Sequence, residues 1–215
     1  MNKLGHGLHE ALGYPVRGIL RALVALAFRP QRRFASEAAR RAFPAGPCVI
    51  VSNHVRAFDG AAIEVLLPRR RIWGMTAKDL LEKSWPLRTL MGFCRTIPID
   101  REHFSMSWLR EGRKRLKAGD DVYMCPEGAC QKDRVIREFK PGFVTLATSA
   151  GVPVVPVYHN GVFHFFLGRR FRMIIGEPIT LTPPPDGLTE AEMAREARLV
   201  EDAVRALEAM MRQDA

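Results

Sequence analysis

The segment Asn53–Asp59 carries two side chains that can move a proton between them and a substrate. It reads NHVRAFD, with His54 and Asp59 five positions apart. Five positions do not share one face of a regular helix, so the pair meets only through a loop or a helix start. If they meet, the carboxylate fixes the imidazole tautomer and the other ring nitrogen takes a proton from a hydroxyl. The alternative is a helix-entry histidine and a capping aspartate, because such pairs often arise by chance.

Two further polar segments follow apolar stretches. Pro126–Cys130, PEGAC, follows the run DVYMC. There Glu127 can contact the hydroxyls of an acceptor, and Gly128 lets a substrate approach backbone amides that face a developing oxyanion. Arg101 ends the segment TIPIDR, and its planar guanidinium suits a phosphate. The alternatives are a plain turn and a solvated arginine.

The elements that position these residues are short apolar runs that alternate with helical segments. This alternation predicts an α/β fold, with a mostly parallel central sheet flanked by helices. Ligand sites in such sheets collect at the carboxyl ends of strands, where His54 stands. The predicted strands are Cys48–Ser52, Arg71–Met75, Thr96–Ile99, Asp121–Cys125, Val154–Tyr158 and Phe171–Ile175. The predicted helices are Asp59–Leu67, Lys78–Leu81 with Trp85–Met91, Phe104–Lys117, Gly142–Ala150 and Thr189–Met211.

The first 43 residues form a predicted amphipathic, membrane-associating helical segment, and residues 44–215 form the one predicted domain. Apolar residues recur at helical spacing over Tyr14–Phe28, with arginines within and after the stretch. Its uncharged part, Ala22–Phe28, is shorter than the roughly 20 apolar residues that span a bilayer. We therefore expect an interfacial helix with its arginines among lipid headgroups. The alternative is a helix packed on the protein's own core.

The charge balance favours an anionic partner. The chain has 33 Lys plus Arg against 23 Asp plus Glu, a formal charge of +10. An anionic membrane surface or a phosphorylated substrate fits this charge, whereas no nucleic-acid partner is expected because base-reading motifs are absent. Four cysteines without a Cys-x-x-Cys pair and without a leader peptide indicate reduced thiols in the cytoplasm. No metal site is expected, because no His-x-x-x-His or cysteine pair reinforces His54, Asp59 and Glu127.

The motif blocks together resemble the glycerolipid acyltransferase family, which includes lysophosphatidic acid acyltransferases. The resemblance covers about residues 48–180 and rests on the order and spacing of the blocks. In chain order they are SNHxxxxD, AKDLL…P over Ala77–Pro86, IPIDR, PEG, FKPG over Phe139–Gly142, VPVVPV and GEPI over Gly176–Ile179.

The resemblance implies an acyltransferase domain over residues 44–215 that moves a fatty acyl group from acyl-CoA or acyl-carrier protein to a lysolipid hydroxyl. The expected acceptor is 1-acyl-glycerol-3-phosphate, which would give phosphatidic acid in phospholipid biosynthesis. His54 is then the general base and Asp59 its orienting partner, with direct attack and no acyl-enzyme. Lys78 and Arg101 become phosphate ligands, and Glu127 with Gly128 the acceptor-side turn. No cofactor is implied beyond the acyl donor, and the expected location is the cytoplasmic face of the membrane.

The chain departs from the family pattern around this site. Family members carry Ser two residues after the histidine and Thr-Arg after Pro-Glu-Gly, whereas this chain has Arg56 and the pair Ala129–Cys130. Arg56, Arg134 or Lys140 is a candidate replacement for the missing arginine. The departures leave open another acceptor, such as lyso-ornithine lipid, or a non-catalytic lipid-binding relative. A thioesterase-like hydrolase that activates water is the remaining enzymatic alternative.

Overall fold

A computed structural model of the protein describes residues 3–57, 59–78, 95–100, 106–164, 170–182 and 189–214. Within these ranges the chain forms six helices and seven strands. The helices are α1 (Lys3–Phe28), α2 (Glu37–Ala42), α3 (Asp59–Leu66), α4 (Ser107–Lys117), α5 (Gly142–Ala150) and α6 (Glu190–Gln213). The strands are β1 (Gln31–Phe34), β2 (Val49–Ser52), β3 (Ile72–Ala77), β4 (Thr96–Ile99), β5 (Asp121–Met124), β6 (Val154–His159) and β7 (Arg172–Ile175).

The strands of the described residues form one sheet in the order β1-β7-β6-β2-β5-β3-β4. Every neighbouring pair is parallel except β6 and β7, which are antiparallel. The predicted α/β fold with a mostly parallel sheet is therefore confirmed. Strands β6, β2 and β5 are neighbours at the centre of the sheet and run in one direction. Their carboxyl ends consequently meet at one edge.

Side chains of the central strands alternate between two cores, as the pleat of a strand requires. In β2, Val49 and Val51 pack with residues of α4, α5 and α6, whereas Ile50 packs with residues of α3. The sheet is thus covered by helices on both faces, and its buried strands are apolar on both sides. This rigid layer fixes the loops that follow β2, β5 and β6.

The N-terminal part of the chain contains a strand that the sequence pattern does not predict. Strand β1 pairs in parallel with β7, although it lies inside the predicted segment 1–43. Its residues Gln31, Arg32 and Arg33 are exposed, and only Phe34 reaches the core, so no apolar run marks the strand. Helix α1 begins well before the predicted Tyr14 and packs against α3.

The predicted elements after residue 44 that fall within the described residues are found with small shifts at their ends. The capping box at Thr189 is present, with the Thr189 side chain accepting from the Glu192 amide and the Glu192 side chain accepting from the Thr189 amide. Helix α5 has the predicted bounds, while α4 begins at Ser107 rather than Phe104. The predicted helices Lys78–Leu81 and Trp85–Met91 extend into residues 79–94, outside the described residues.

Candidate active site

The loops after β2, β5 and β6 meet at the carboxyl edge of the sheet. Two hydrogen bonds from backbone amides tie the first two loops together. The amide of His54 donates to Glu127 Oε1 at 2.8 Å, and the amide of Gln131 donates to the His54 carbonyl at 2.7 Å. Both Glu127 oxygens bind backbone amides, because Oε2 accepts from the Arg137 amide at 3.2 Å. The backbone of His54 is therefore held through both its amide and its carbonyl.

His54 and Asp59 lie in contact. His54 stands in the loop after β2, and Asp59 is the first residue of α3. The distance from His54 Nδ1 to Asp59 Oδ2 is 3.0 Å, and the same oxygen accepts from the amides of Val55 and Arg56 at 2.7 and 2.8 Å. An ionised carboxylate only accepts hydrogen bonds, so Nδ1 carries the proton. His54 Nε2, on the other side of the ring, is then the nitrogen that accepts a proton.

The charges of the pair favour an ionised Asp59 and a basic His54. Burial raises the pKa of Asp59, but His159, the hydrogen bond with His54 and the two amides lower it, and the lowering prevails. Burial lowers the pKa of His54, but its interaction with Cys125 and the hydrogen bond to Asp59 raise it above its ordinary 6.5. The ring is thus suited to hold a proton taken from a hydroxyl or thiol.

A second histidine, His159, which sequence reasoning missed, binds Asn53, the residue that precedes His54. His159 ends β6, is fully buried, and its Nε2 donates to the Asn53 carbonyl at 2.9 Å. Asn53 in turn exchanges two hydrogen bonds with the His159 backbone, at 2.9 and 3.0 Å. Burial lowers the pKa of His159, so its ring is neutral near pH 7. A signal was available, because His159 directly follows the predicted strand Val154–Tyr158.

The Pro-Glu-Gly turn has a conformation that favours glycine. Gly128 has a φ of +77°, and a Cβ placed on it would lie 3.1 Å from Lys140 Nζ. The Lys140 amide also donates to the Pro126 carbonyl at 3.1 Å. Lys140 therefore lies across the turn, with its ammonium group close to the backbone of Gly128. Glu127, predicted to contact the acceptor, is buried and binds backbone amides; its contact with an acceptor stays a prediction.

Of the two predicted phosphate ligands, Lys78 and Arg101, the structure describes Lys78. Lys78 directly follows β3, is exposed, and its Nζ lies 3.6 Å from the carboxylate of Asp100, which follows β4. Arg101 lies outside the described residues, so its position stays a prediction. Arg56 is exposed and donates its backbone amide to Asp59, which brings it next to the His54–Asp59 pair. Phosphate binding by Lys78 and Arg101 stays a prediction.

Cys130 occupies the side of the His54 ring that faces away from Asp59. Its Sγ lies 3.1 Å from His54 Nε2, and the residue is exposed. In the sequence, Cys130 stands out only as a departure from the family pattern. The contact was not predictable from spacing, because it depends on how two distant loops pair. Among the described residues no three His, Cys, Asp or Glu side chains gather as a metal site.

The fold and the site together define a three-layer α/β protein with a His–Asp pair at the carboxyl edge of parallel strands. A family model described as Acyltransferase matches residues 33–160. The chain therefore belongs to the acyltransferase family, as its motif blocks predicted.

Two curated relatives are similar to the chain. It is 30% identical over 168 residues to human 1-acyl-sn-glycerol-3-phosphate acyltransferase beta, covering 75% of this chain and 59% of the relative. It is 28% identical over 134 residues to 1-acyl-sn-glycerol-3-phosphate acyltransferase of Bacillus subtilis (strain 168), covering 61% of this chain and 66% of the relative. The chain thus spans less than two thirds of either relative's length.

A solved structure is also similar, that of the 1-acyl-sn-glycerophosphate (LPA) acyltransferase PlsC from Thermotoga maritima. It superimposes with a TM-score of 0.63 at 18% identity, covering 98% of this chain and 84% of that chain. This likeness establishes that the two proteins share a fold.

Proposed function

We propose that the protein transfers a fatty acyl group from a thioester, carried by coenzyme A or acyl-carrier protein, to the hydroxyl of a lysolipid. The observation that carries the proposal is the 3.0 Å contact between His54 Nδ1 and Asp59 Oδ2, which leaves Nε2 to accept a proton. Nε2 accepts the hydroxyl proton while the oxygen attacks the thioester carbonyl. Asp59 stabilises the imidazolium that forms. A positioned acid–base group of this kind contributes about 10²–10⁴-fold in rate.

The proposed acceptor is 1-acyl-glycerol-3-phosphate, in phospholipid biosynthesis. The names of both curated relatives support this choice. The phosphate requires cations, and the family's arginine is replaced by Cys130 in this chain. Lys140 supplies a nearby ammonium group over Gly128, and Arg56 lies beside the His–Asp pair. An anion held between them would place the acceptor's hydroxyl beside His54.

Helix α1 is the proposed contact with an anionic membrane surface. One side of α1 packs on α3, where Arg21 pairs with Glu64 at 2.9 Å. The other side exposes an apolar stripe of Ile19, Leu23 and Leu26, which are 61%, 57% and 65% exposed. These positions recur at helical spacing, so the stripe forms one face that a bilayer interface would bury.

Basic residues lie at the C-terminal end of α1. A groove of about 450 Å³ at the end of α1 is lined in part by Arg29, Arg32 and Arg170. Each arginine near an anionic surface contributes about 1 kcal/mol of attraction, which salt weakens. No helix of the described residues has the length and apolarity that a membrane crossing requires. Location at the cytoplasmic face remains part of this proposal.

A panel of acceptors tests the enzymatic part of the proposal. Purified protein is incubated with labelled acyl-CoA or acyl-carrier protein thioester and lysophosphatidic acid, lyso-ornithine lipid or other lysolipids. We expect diacyl product with lysophosphatidic acid. If product forms with lyso-ornithine lipid alone, that lipid is the acceptor and lysophosphatidic acid is not. If free fatty acid is the sole product, the protein is a thioesterase. No product with any acceptor would refute the proposal and favour a lipid-binding relative.

Vesicle sedimentation tests the membrane part. The triple variant Ile19→Ser, Leu23→Ser and Leu26→Ser should lose binding to anionic vesicles, while the wild-type protein binds and is released by salt. Leu199→Ser is the matched control, because Leu199 is 51% exposed on α6 and lies outside the stripe. Equal binding by the triple variant and the wild type would contradict the role of α1.

A further inference from the structure

His159 is a buried histidine whose ring faces two groups that flank the catalytic pair. The residue ends β6 and is fully buried. Its Nε2 lies 2.9 Å from the carbonyl oxygen of Asn53 and 3.7 Å from Asp59 Oδ2. A carbonyl only accepts hydrogen bonds, so Nε2 carries the proton and donates it to Asn53. This N–H group is therefore close both to the residue before His54 and to the carboxylate that binds His54.

Two further features fix the ring of His159 and its protonation. The ring stacks on the buried ring of Phe171, with centroids 5.2 Å apart and an angle of 26° between the ring planes. Its Nδ1 is buried and has no hydrogen-bond partner among the described residues. A second proton on Nδ1 would leave a buried charge without a partner, so burial lowers the pKa of His159 and keeps the ring neutral. The surroundings thus favour the neutral tautomer with its proton on Nε2.

The residues on both sides of His54 are held by the end of β6 and the loop that follows it. The Asn53 side chain donates to the His159 carbonyl at 2.9 Å and accepts from the His159 amide at 3.0 Å. These two bonds and the bond from Nε2 join Asn53, which is buried, to the last residue of β6. On the other side, Val55 packs so closely on Gly161 that a Cβ on this glycine would lie 2.4 Å away. The backbone position of His54 consequently depends on β6.

The buried charge of Asp59 needs hydrogen-bond donors around it. The side chain is fully buried, and its Oδ1 has no hydrogen-bond partner among the described residues. Oδ2 accepts from His54 Nδ1 and from two backbone amides, and it also faces His159 Nε2. A buried carboxylate with too few donors takes up a proton, and a protonated Asp59 would not stabilise the imidazolium of His54. An N–H group 3.7 Å from Oδ2 favours the charged carboxylate.

We propose that His159 is a positioning residue for acyl transfer: through Asn53 it fixes the backbone at His54, and through its N–H group it favours the ionised form of Asp59. Because His159 is fully buried, it acts through these residues and not on the substrate. The assignment rests on the proposed function for the reaction itself. Other titratable groups also interact with the pair: Cys125, Cys130 and Glu127 with His54, and Tyr123 with Asp59.

Steady-state kinetics of acyl transfer to lysophosphatidic acid test this role. His159→Leu removes the donor and keeps an apolar side chain against Phe171. We expect its kcat to fall by about 10²-fold, the effect of displacing a catalytic group by about 1 Å, while KM stays near the wild-type value. His159→Gln can place its amide nitrogen where Nε2 lies, so it should recover about tenfold of this loss, the contribution of a hydrogen bond to a charged group. His164→Leu is the matched control, because His164 is exposed in the loop after β6, and its kcat should equal that of the wild type.

The outcomes separate this inference from the proposed function. Wild-type kcat in a folded His159→Leu protein, checked by circular dichroism, would overturn the inference and leave the proposed function intact. Equal losses in the leucine and glutamine variants would also overturn it, because the hydrogen-bond donor would then not be what His159 supplies. A wild-type protein that transfers no acyl group would instead overturn the proposed function on which the inference rests.

Histidine NMR of the wild-type protein tests the inference without the leucine variant, and it decides the matter if that variant does not fold. In protein labelled with ¹⁵N-histidine, the His159 signals are assigned by their absence from His159→Gln. We expect a neutral ring at pH 7 with its proton on Nε2. A proton on Nδ1 alone would overturn the inference, because Nε2 could then not donate to the Asn53 carbonyl.

Discussion

The substitution Asp59→Asn should impair catalysis while leaving the protein folded. The side-chain oxygen of the introduced asparagine can take the place of Oδ2 and keep the bonds from Val55, Arg56 and His54, but the charge is lost. A hydrogen bond to a charged group contributes about 1.5–3 kcal/mol. If this is lost from the imidazolium in the transition state, kcat should fall by about 10- to 150-fold. The new amide would occupy the buried position of Oδ1, which has no hydrogen-bond partner among the described residues, and cost about 1–3 kcal/mol of stability.

The pH dependence of kcat/KM should also differ between the wild type and Asp59→Asn. His54 must be neutral to accept a proton, and its pKa is raised above 6.5, so wild-type kcat/KM should rise as pH increases through that raised pKa. Loss of the Asp59 charge lowers the pKa of His54, so the acidic limb of the variant's profile should move to lower pH. The deficit should consequently be largest at high pH, where both enzymes have neutral His54.

The assay is release of free thiol from acyl-CoA in the presence of lysolipid, measured across pH for both proteins. Asp133→Asn is the matched control, because Asp133 is an exposed carboxylate that pairs with Arg137 and not with His54. Its rate and its acidic limb should equal those of the wild type. An Asp59→Asn protein with wild-type kcat and an unmoved acidic limb would refute the assigned role of Asp59.

Two further substitutions probe the loops around the pair. Gly161→Ala should lower the free energy of unfolding by about 1–3 kcal/mol in a denaturant titration, because its Cβ would lie 2.4 Å from Val55 at a φ of +59°. Gly151→Ala is the control, because Gly151 has a φ of +67° but open space around it. If Gly151→Ala lowers the free energy of unfolding as much as Gly161→Ala does, backbone strain explains the whole effect and the contact with Val55 explains none of it. Lys140→Ala should raise KM for an anionic acceptor about fivefold, the effect of roughly 1 kcal/mol. An unchanged KM would show that Lys140 does not bind the acceptor's anionic group.

The central fold was predictable because its strands are apolar runs bounded by turns. Val49–Ser52 and Val154–His159 are buried throughout, so their sequences carry a strong strand signal. Strand β1 carries none, because Gln31–Arg33 are exposed at the sheet edge and the strand is held by backbone pairing with β7. A strand that is stabilised by backbone pairing with its neighbour, and not by burial of its own side chains, cannot be predicted from the hydrophobic pattern of its sequence.

The site was predictable only in part, for a related reason. The contact between His54 and Asp59 spans five residues and a helix start, which the sequence allows, and the order of the motif blocks rather than the spacing favours it. The contacts of His54 with Cys130 and of Asn53 with His159 join loops that are 76 and 106 residues apart. Such contacts depend on strand order, β6-β2-β5, which the linear sequence does not state. Their discovery required the sheet topology.

The most direct test of the central claim is transfer of a labelled acyl chain from acyl-CoA to lysophosphatidic acid by the wild type and by His54→Ala. If His54 serves as the base, the wild type forms labelled phosphatidic acid and the variant forms it about 10²–10⁴-fold more slowly. The variant should remain folded, because the His54 side chain is 20% exposed and its loop is held by backbone hydrogen bonds. Equal rates for the two proteins would contradict the claim that His54 activates the acceptor.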